Sequence, residues 1–98
     1  MATLIVSYPA VEGLAFDREY YLGTHVPLVR AVWGEFDLHS AEVLFPASGP
    51  QPFACVTVLR FNDQAGIDAA LSSARTGDVV GDVPNFTNVQ PTIFRAGN

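Results

Sequence analysis

The stretch Phe16-Asp17-Arg18-Glu19-Tyr20-Tyr21-Leu22-Gly23-Thr24-His25-Val26-Pro27-Leu28-Val29-Arg30 decides the fold. Asp17 has the short acceptor side chain that caps a helix N-terminus, and Phe16 before it can staple the first turn. Leu22, Val26, Val29 and Trp33 recur at spacings of three and four. Tyr21, His25, Leu28 and Val32 form the adjacent stripe, so the pattern predicts a helix with a broad apolar face. Pro27 should interrupt it, because proline has no amide hydrogen and its ring crowds the preceding turn. Thr24 can cap a second segment with Pro27 in its first turn. The expectation is a kink or break near His25, with Gly34 ending the helix.

Upstream, Thr3-Leu4-Ile5-Val6-Ser7-Tyr8 is a β-branched run stopped by Pro9, a first strand. Downstream, Phe36, Leu38 and Ser40 alternate with polar neighbours before Val43 and Phe45 take over the other parity. That is a second strand with a bulge near Ser40. A turn-rich connector, Pro46 to Pro52, leads to Phe53–Phe61, which is apolar on both parities and so predicts a strand buried on both faces. Asn62 or Asp63 caps a second helix carrying Ile67, Ala70, Leu71 and Ala74. Ser73 can cap a short further one toward Val80, broken by Gly81-Asp82-Val83-Pro84. Asp78 and Asp82, four apart, read as a solvated helix face. Phe86 to Phe94 is the last strand, with Pro91 marking an edge or a bulge. The order β-α-β-β-α-β predicts an α+β, ferredoxin-like subunit: a four-stranded antiparallel sheet with helices on one face, spanning residues 1–98 as one domain.

The chain has 98 residues, of which 49% are hydrophobic, seven of them Phe. A domain of this size buries roughly 60–68% of its unfolded surface, so the apolar surplus points to a subunit interface, with a homodimer the expected form. The net charge is −5, and the five basic residues are all Arg, scattered along the chain. This pattern lacks the basic stripe that nucleic acid or an anionic membrane requires. No apolar run approaches the roughly 20 residues of a membrane span, and the expected location is cytoplasmic. The lone cysteine, Cys55, sits in an apolar strand and reads as a core side chain.

Two segments carry a family resemblance: Phe16-Asp17 with Tyr20-Tyr21 and Thr24-His25-Val26-Pro27-Leu28-Val29-Arg30, and Asp82-Val83-Pro84-Asn85-Phe86-Thr87-Asn88. The chain resembles the EthD family of small dimeric α+β barrel proteins over nearly its whole length. The resemblance implies a homodimer whose two sheets form a barrel with helices outside. It also implies a role in bacterial degradation of xenobiotics such as ethers. Relatives in the superfamily include monooxygenases that need no cofactor, isomerases and catalytically silent members. No G-x-G-x-x-G follows a strand, so no dinucleotide is expected, and the expected cofactor is none.

His25 is the candidate catalytic residue, a general acid or base whose burial would favour the neutral imidazole. The structural alternative is a buried histidine bonded to a backbone carbonyl freed by Pro27. Tyr21, Leu28, Trp33, Asn85 and Phe86 are the candidate substrate-binding residues. Tyr21 stands one turn before His25, and the resemblance brings Asn85 and Phe86 toward the first helix. Tyr20 is similar to Tyr21 but at a more exposed angle, and His39 reads as a surface residue. Two histidines far apart in sequence and a strand cysteine make no metal-ligand set. The expected substrate is a small apolar or aromatic molecule. The expected chemistry is of oxidoreductase or monooxygenase type, or proton transfer as in an isomerase or lyase. The competing reading is a non-catalytic accessory or ligand-binding protein that supports a separate oxygenase system.

Overall fold

The computed structural model describes residues 1–97. Strand β1 is Ala2–Pro9. It is followed by helix α1, Arg18–Tyr20, a π-helical turn, Tyr21–His25, and helix α2, Val26–Trp33. A 3-10 turn, Gly34–Phe36, leads to β2, Leu38–Leu44, and β3, Phe53–Phe61. Helices α3, Gln64–Ser72, and α4, Thr76–Asp82, then a 3-10 turn, Val83–Asn85, precede β4, Thr92–Arg95. The sheet order is β2-β3-β1-β4 and every pairing is antiparallel, the ferredoxin-like plan.

The caps form where the side chains allow them. Asp17 accepts from the Tyr20 amide at 3.0 Å, and Asp63 accepts from the Gly66 amide at 2.9 Å. The β2–β3 register shifts between Leu38 and Ser40, at the expected bulge. The break expected near His25 does not occur, and Thr24 caps nothing. The backbone stays right-handed helical from Tyr20 to Val26, and the Val26 amide reaches back to the Tyr21 carbonyl. Widening the coil into one π-helical turn accommodates Pro27 without breaking the helix. Helix α2 ends at Gly34 as expected, but Gly34 keeps right-handed angles and opens the 3-10 turn; the left-handed residue is Asp37, at φ 66°. The last strand is shorter than its alternation suggested. Residues 86–91 run irregularly, with Thr87 bridging to Phe16, and pairing with β1 begins only after Pro91, which offers no amide to a ladder.

The helices cover one sheet face. Leu4, Leu59 and Phe61 meet Val29, Val32, Trp33, Ile67 and Ala70 there. The Trp33 indole donates to the Thr76 hydroxyl at 2.8 Å, and that hydroxyl donates to the Ala70 carbonyl, tying three helices together. A second cluster holds Tyr8, Tyr21, Cys55, Val83 and Phe86, and it is next to this cluster that the site forms. The other sheet face stays half-exposed in the single chain. Ile5, Val56 and Val58 are partly open there, and Phe94 is 59% exposed. The expectation that β3 is buried on both faces is therefore met on the helix side only.

Gly66 sits where α3 crosses the Gly34–Phe36 turn. A Cβ on it would lie 2.7 Å from the Phe36 carbonyl oxygen, closer than such atoms approach.

Candidate functional site

The two segments that carry the resemblance meet in space. The Asp17 amide donates to the Phe86 carbonyl at 2.8 Å. The Thr87 hydroxyl donates to the Ala15 carbonyl at 2.7 Å. The Asn88 side chain accepts from the Ala15 amide and donates to the Gly13 carbonyl, at 2.9 and 3.0 Å. This lacing fixes the start of α1 against the chain that leaves α4.

One turn further on, the π-helical turn brings Tyr21 and His25 face to face. Their rings stack at 5.3 Å and 22°. Phe86 packs against both rings, its centroid 4.5 Å from the imidazole and 5.0 Å from the Tyr21 ring. His25 is only 3% exposed. Its Nδ1–H donates to Asp82 Oδ2 at 2.9 Å. Asp82 Oδ1 accepts from the Tyr20 hydroxyl at 2.6 Å and from the Asn85 amide at 3.0 Å.

Asp82 was misread along the linear sequence. Its spacing from Asp78 suggested a solvated face, whereas its side chain is 11% exposed and turned to His25 from the last residue of α4. Tyr20, expected as a more exposed counterpart of Tyr21, bonds Asp82 instead of the imidazole. The signal that could have found the pairing was the clustering of Tyr20, His25, Asp82 and Asn85 in the two segments that carry the resemblance.

Burial lowers the pKa of His25, and this outweighs the opposing pull of the Asp82 carboxylate. Burial acts to raise Asp82, but hydrogen bonds from Tyr20, Asn85 and His25 outweigh it and hold the carboxyl below its ordinary value. The bond to Asp82 in turn raises the Tyr20 phenol. The pair is therefore a carboxylate and a neutral imidazole. Among the described residues Nε2 has no hydrogen-bond partner, while no fully buried side-chain nitrogen or oxygen is left unpaired. Nε2 is therefore open to space, with its lone pair free.

The His25 ring also lines an apolar cavity between the helices and the sheet. Its volume is about 60 Å³. Besides His25 and Tyr21, the walls include Val6, Trp33, Leu59 and Val79, and the half-exposed Val80 and Ile93 stand at the open side. The Tyr21 hydroxyl bonds Thr57 on the cavity floor.

Of the sequence candidates, His25, Tyr21 and Trp33 line this cavity. Phe86 and Asn85 reach it indirectly, through the His25 ring and through Asp82. Leu28 does not join them and packs against the main core. His39 bonds Asn62, away from the site. No group of three His, Cys, Asp or Glu side chains among the described residues could hold a metal. No helix among them is long and apolar enough to cross a membrane.

No protein-family model matches the chain, and no curated protein matches it by sequence. Solved structures do. An EthD-like protein of Ralstonia eutropha JMP134 superposes with a TM-score of 0.81 at 25% identity, over 97% of this chain and 88% of that one. An ethyl tert-butyl ether D (EthD) family protein of Bacillus halodurans C-125 gives 0.70 at 22% identity, over 99% of both chains. A dimeric protein of ferredoxin-like fold from Bacteroides fragilis NCTC 9343 gives 0.62 at 8% identity, over 99% and 95%. The likeness to EthD proteins thus extends over nearly the whole chain, beyond the two segments that first suggested it.

Proposed function

We propose that this EthD-like chain is a small catabolic enzyme that moves a proton on a small apolar or aromatic metabolite, with His25 as the general acid and base. One observation supports this above the rest: His25 gives its Nδ1–H to Asp82, its Nε2 has no partner among the described residues, and its ring lines an apolar cavity. A neutral, buried imidazole whose tautomer is fixed by a carboxylate is suited to accept a proton and to hold it as an imidazolium. Asp82 stabilises that cation and does not itself take the proton. Returning the proton to another atom of the substrate completes an isomerisation. The same abstraction also leaves an electron-rich anion of the substrate. Tyr21 and Phe86 hold the ring in place, and Trp33 shapes the wall.

The half-exposed sheet face supports a homodimer. In the single chain its Val, Ile and Phe side chains face water, and a second copy placed face to face would cover them. We place the enzyme in the cytoplasm, where the free, buried thiol of Cys55 stays reduced.

Native mass spectrometry of the purified protein, with identification of any retained molecule, supplies the substrate class. Turnover of that class by His25→Ala is then the test. The variant is expected to bind the molecule and turn it over 10²–10⁴-fold more slowly, roughly the contribution of general acid–base catalysis. Unchanged turnover would remove His25 from the mechanism. Binding without turnover by the unaltered protein would establish the accessory, ligand-binding reading instead.

A further inference from the structure

The charge inventory of the chain narrows what its cavity can hold. The sequence has five cationic side chains, all Arg, and every one is engaged elsewhere. Arg18 lies over the Phe45 ring at 4.6 Å. Arg30 donates to the Ala41 carbonyl at 3.2 Å from an exposed position. Arg60, Arg75 and Arg95 pair with Glu42, Glu35 and Asp68 on the surface. None lines the cavity.

The polar atoms that do face it are uncharged. Trp33 has spent its only donor on Thr76, and Thr76 has spent its own on Ala70. On the floor, the hydroxyls of Tyr21 and Thr57 bond each other, with the Cys55 thiol adjoining at 3.8 Å. Burial holds both neighbouring phenols, Tyr8 and Tyr21, far above their ordinary pKa. Among the described residues that line the cavity, His25 Nε2 is the strongest acceptor left without a partner, and the charge behind it, on Asp82, is negative.

A carboxylate or phosphate entering this cavity would lose its hydration, meet no cation, and face a lone pair backed by a carboxylate. A neutral hydroxyl meets the opposite conditions. It brings the proton that Nε2 lacks a partner for, and its apolar body matches the walls.

We infer that the cavity takes an uncharged, weakly acidic hydroxyl compound, a phenol or an enol, bound by donation of its O–H to His25 Nε2, and that it excludes carboxylates of the same size. This rests on the reading of the cavity as the ligand site of the proposed enzyme and names the class of molecule it admits.

Phenol, toluene and benzoate are suitable probes, since they share one ring and differ in the group presented to Nε2. Trp33 is the only tryptophan and lines the cavity, so its emission reports binding directly when excited at the red edge of the indole band. At a pH where benzoate is ionised and phenol is not, phenol is expected to shift the emission saturably. Toluene should bind several-fold more weakly than phenol, and benzoate at least about tenfold more weakly, a difference of ~1.4 kcal/mol. His25→Leu should erase the preference for phenol over toluene. Benzoate binding as tightly as phenol would overturn the inference, as would toluene matching phenol or the absence of any saturable response to phenol. Charge-selective binding in a protein that never turns over a ligand would sink the general-base reading and leave this inference standing.

Discussion

Replacing Asp82 with asparagine tests the site through a single atom pair. Asp82 Oδ1 is held by two donors, the Tyr20 hydroxyl at 2.6 Å and the Asn85 amide at 3.0 Å. Both need an acceptor, so the asparagine carbonyl must stay where Oδ1 is. Its NH2 then falls where Oδ2 is, 2.9 Å from His25 Nδ1, and donates to it. Nδ1 can only accept from that group, so the imidazole proton moves to Nε2. The histidine remains buried and neutral but presents a donor to the cavity in place of a lone pair. A loss of turnover on the order of 10²–10⁴ follows, about the whole contribution of a general base. Each charge-assisted bond of about 1.5–3 kcal/mol becomes a neutral one of about 0.5–1.5, so with three such bonds the destabilisation is at least about 1 kcal/mol. At about 4–8 °C per kcal/mol for a domain of this length, the melting temperature falls by at least about 4 °C. Nitrogen-15 NMR of the imidazole distinguishes the tautomers without any substrate. The unaltered protein should show the proton on Nδ1 at neutral pH and Asp82→Asn should show it on Nε2. Finding it on Nε2 in the unaltered protein, or finding no change in the variant, refutes the reasoning.

Four further outcomes are expected. Burial holds His25 below its ordinary 6.5, so below that pH the unfolded chain binds a proton that the folded chain refuses. Stability measured by denaturant unfolding should therefore be complete above pH 6.5 and decline as pH falls toward the lowered value, and His25→Gln should flatten this decline. The Asp82 carboxyl, held below its ordinary 3.8, contributes stability that is present above that value and lost in a second, more acidic window; a single acid transition in the unaltered protein would contradict the pair. Gly66→Ala should lower the melting temperature despite alanine's better helix propensity, because its methyl meets the Phe36 carbonyl at 2.7 Å; an overpacking cost of about 1–3 kcal/mol is expected, and an unchanged melting point would show that the contact relaxes freely. Val58→Asp, on the open sheet face, should give a monomer mass in sedimentation where the unaltered protein gives a dimer, and a monomer in both would end the proposal of pairing through this face.

The fold was legible because its signals are local. Asp17 and Asp63 cap as their side chains dictate, the phase slip near Ser40 is a bulge, and the strand and helix order leaves one simple antiparallel arrangement. The site was legible only in part. His25 and Tyr21 announce themselves on one helical stripe, but Asp82 lies 57 residues from His25, and spacing along α4 cannot show what faces it. Pro27 was read as a helix breaker because its missing amide is obvious in the sequence, whereas the π-helical turn that absorbs it depends on how the whole helix lies on the sheet. The shortened last strand has the same origin. Residues 86–88 are held by Asp17 and Ala15 rather than by the sheet, a tertiary competition that alternation alone does not reveal.

The π-helical turn also makes the site and the fold separable by one residue. Such a turn is an α-helix carrying one residue more than its ladder needs. Gly23 lies within it, exposed and with no atom within 4 Å of where a Cβ would stand. Deleting Gly23 would let the coil close into an ordinary α-helix and rotate Tyr21 by about 100° relative to His25. The helix could still lie on the sheet through Val29, Val32 and Trp33, while the stacked rings and the segment that carries Tyr20 lost their alignment with α4. A single codon's loss or gain in this helix is therefore enough to convert one ferredoxin-like subunit between a form whose His–Asp pair is backed by Tyr21 and Tyr20 and a form without that support, leaving the scaffold to be inherited unchanged.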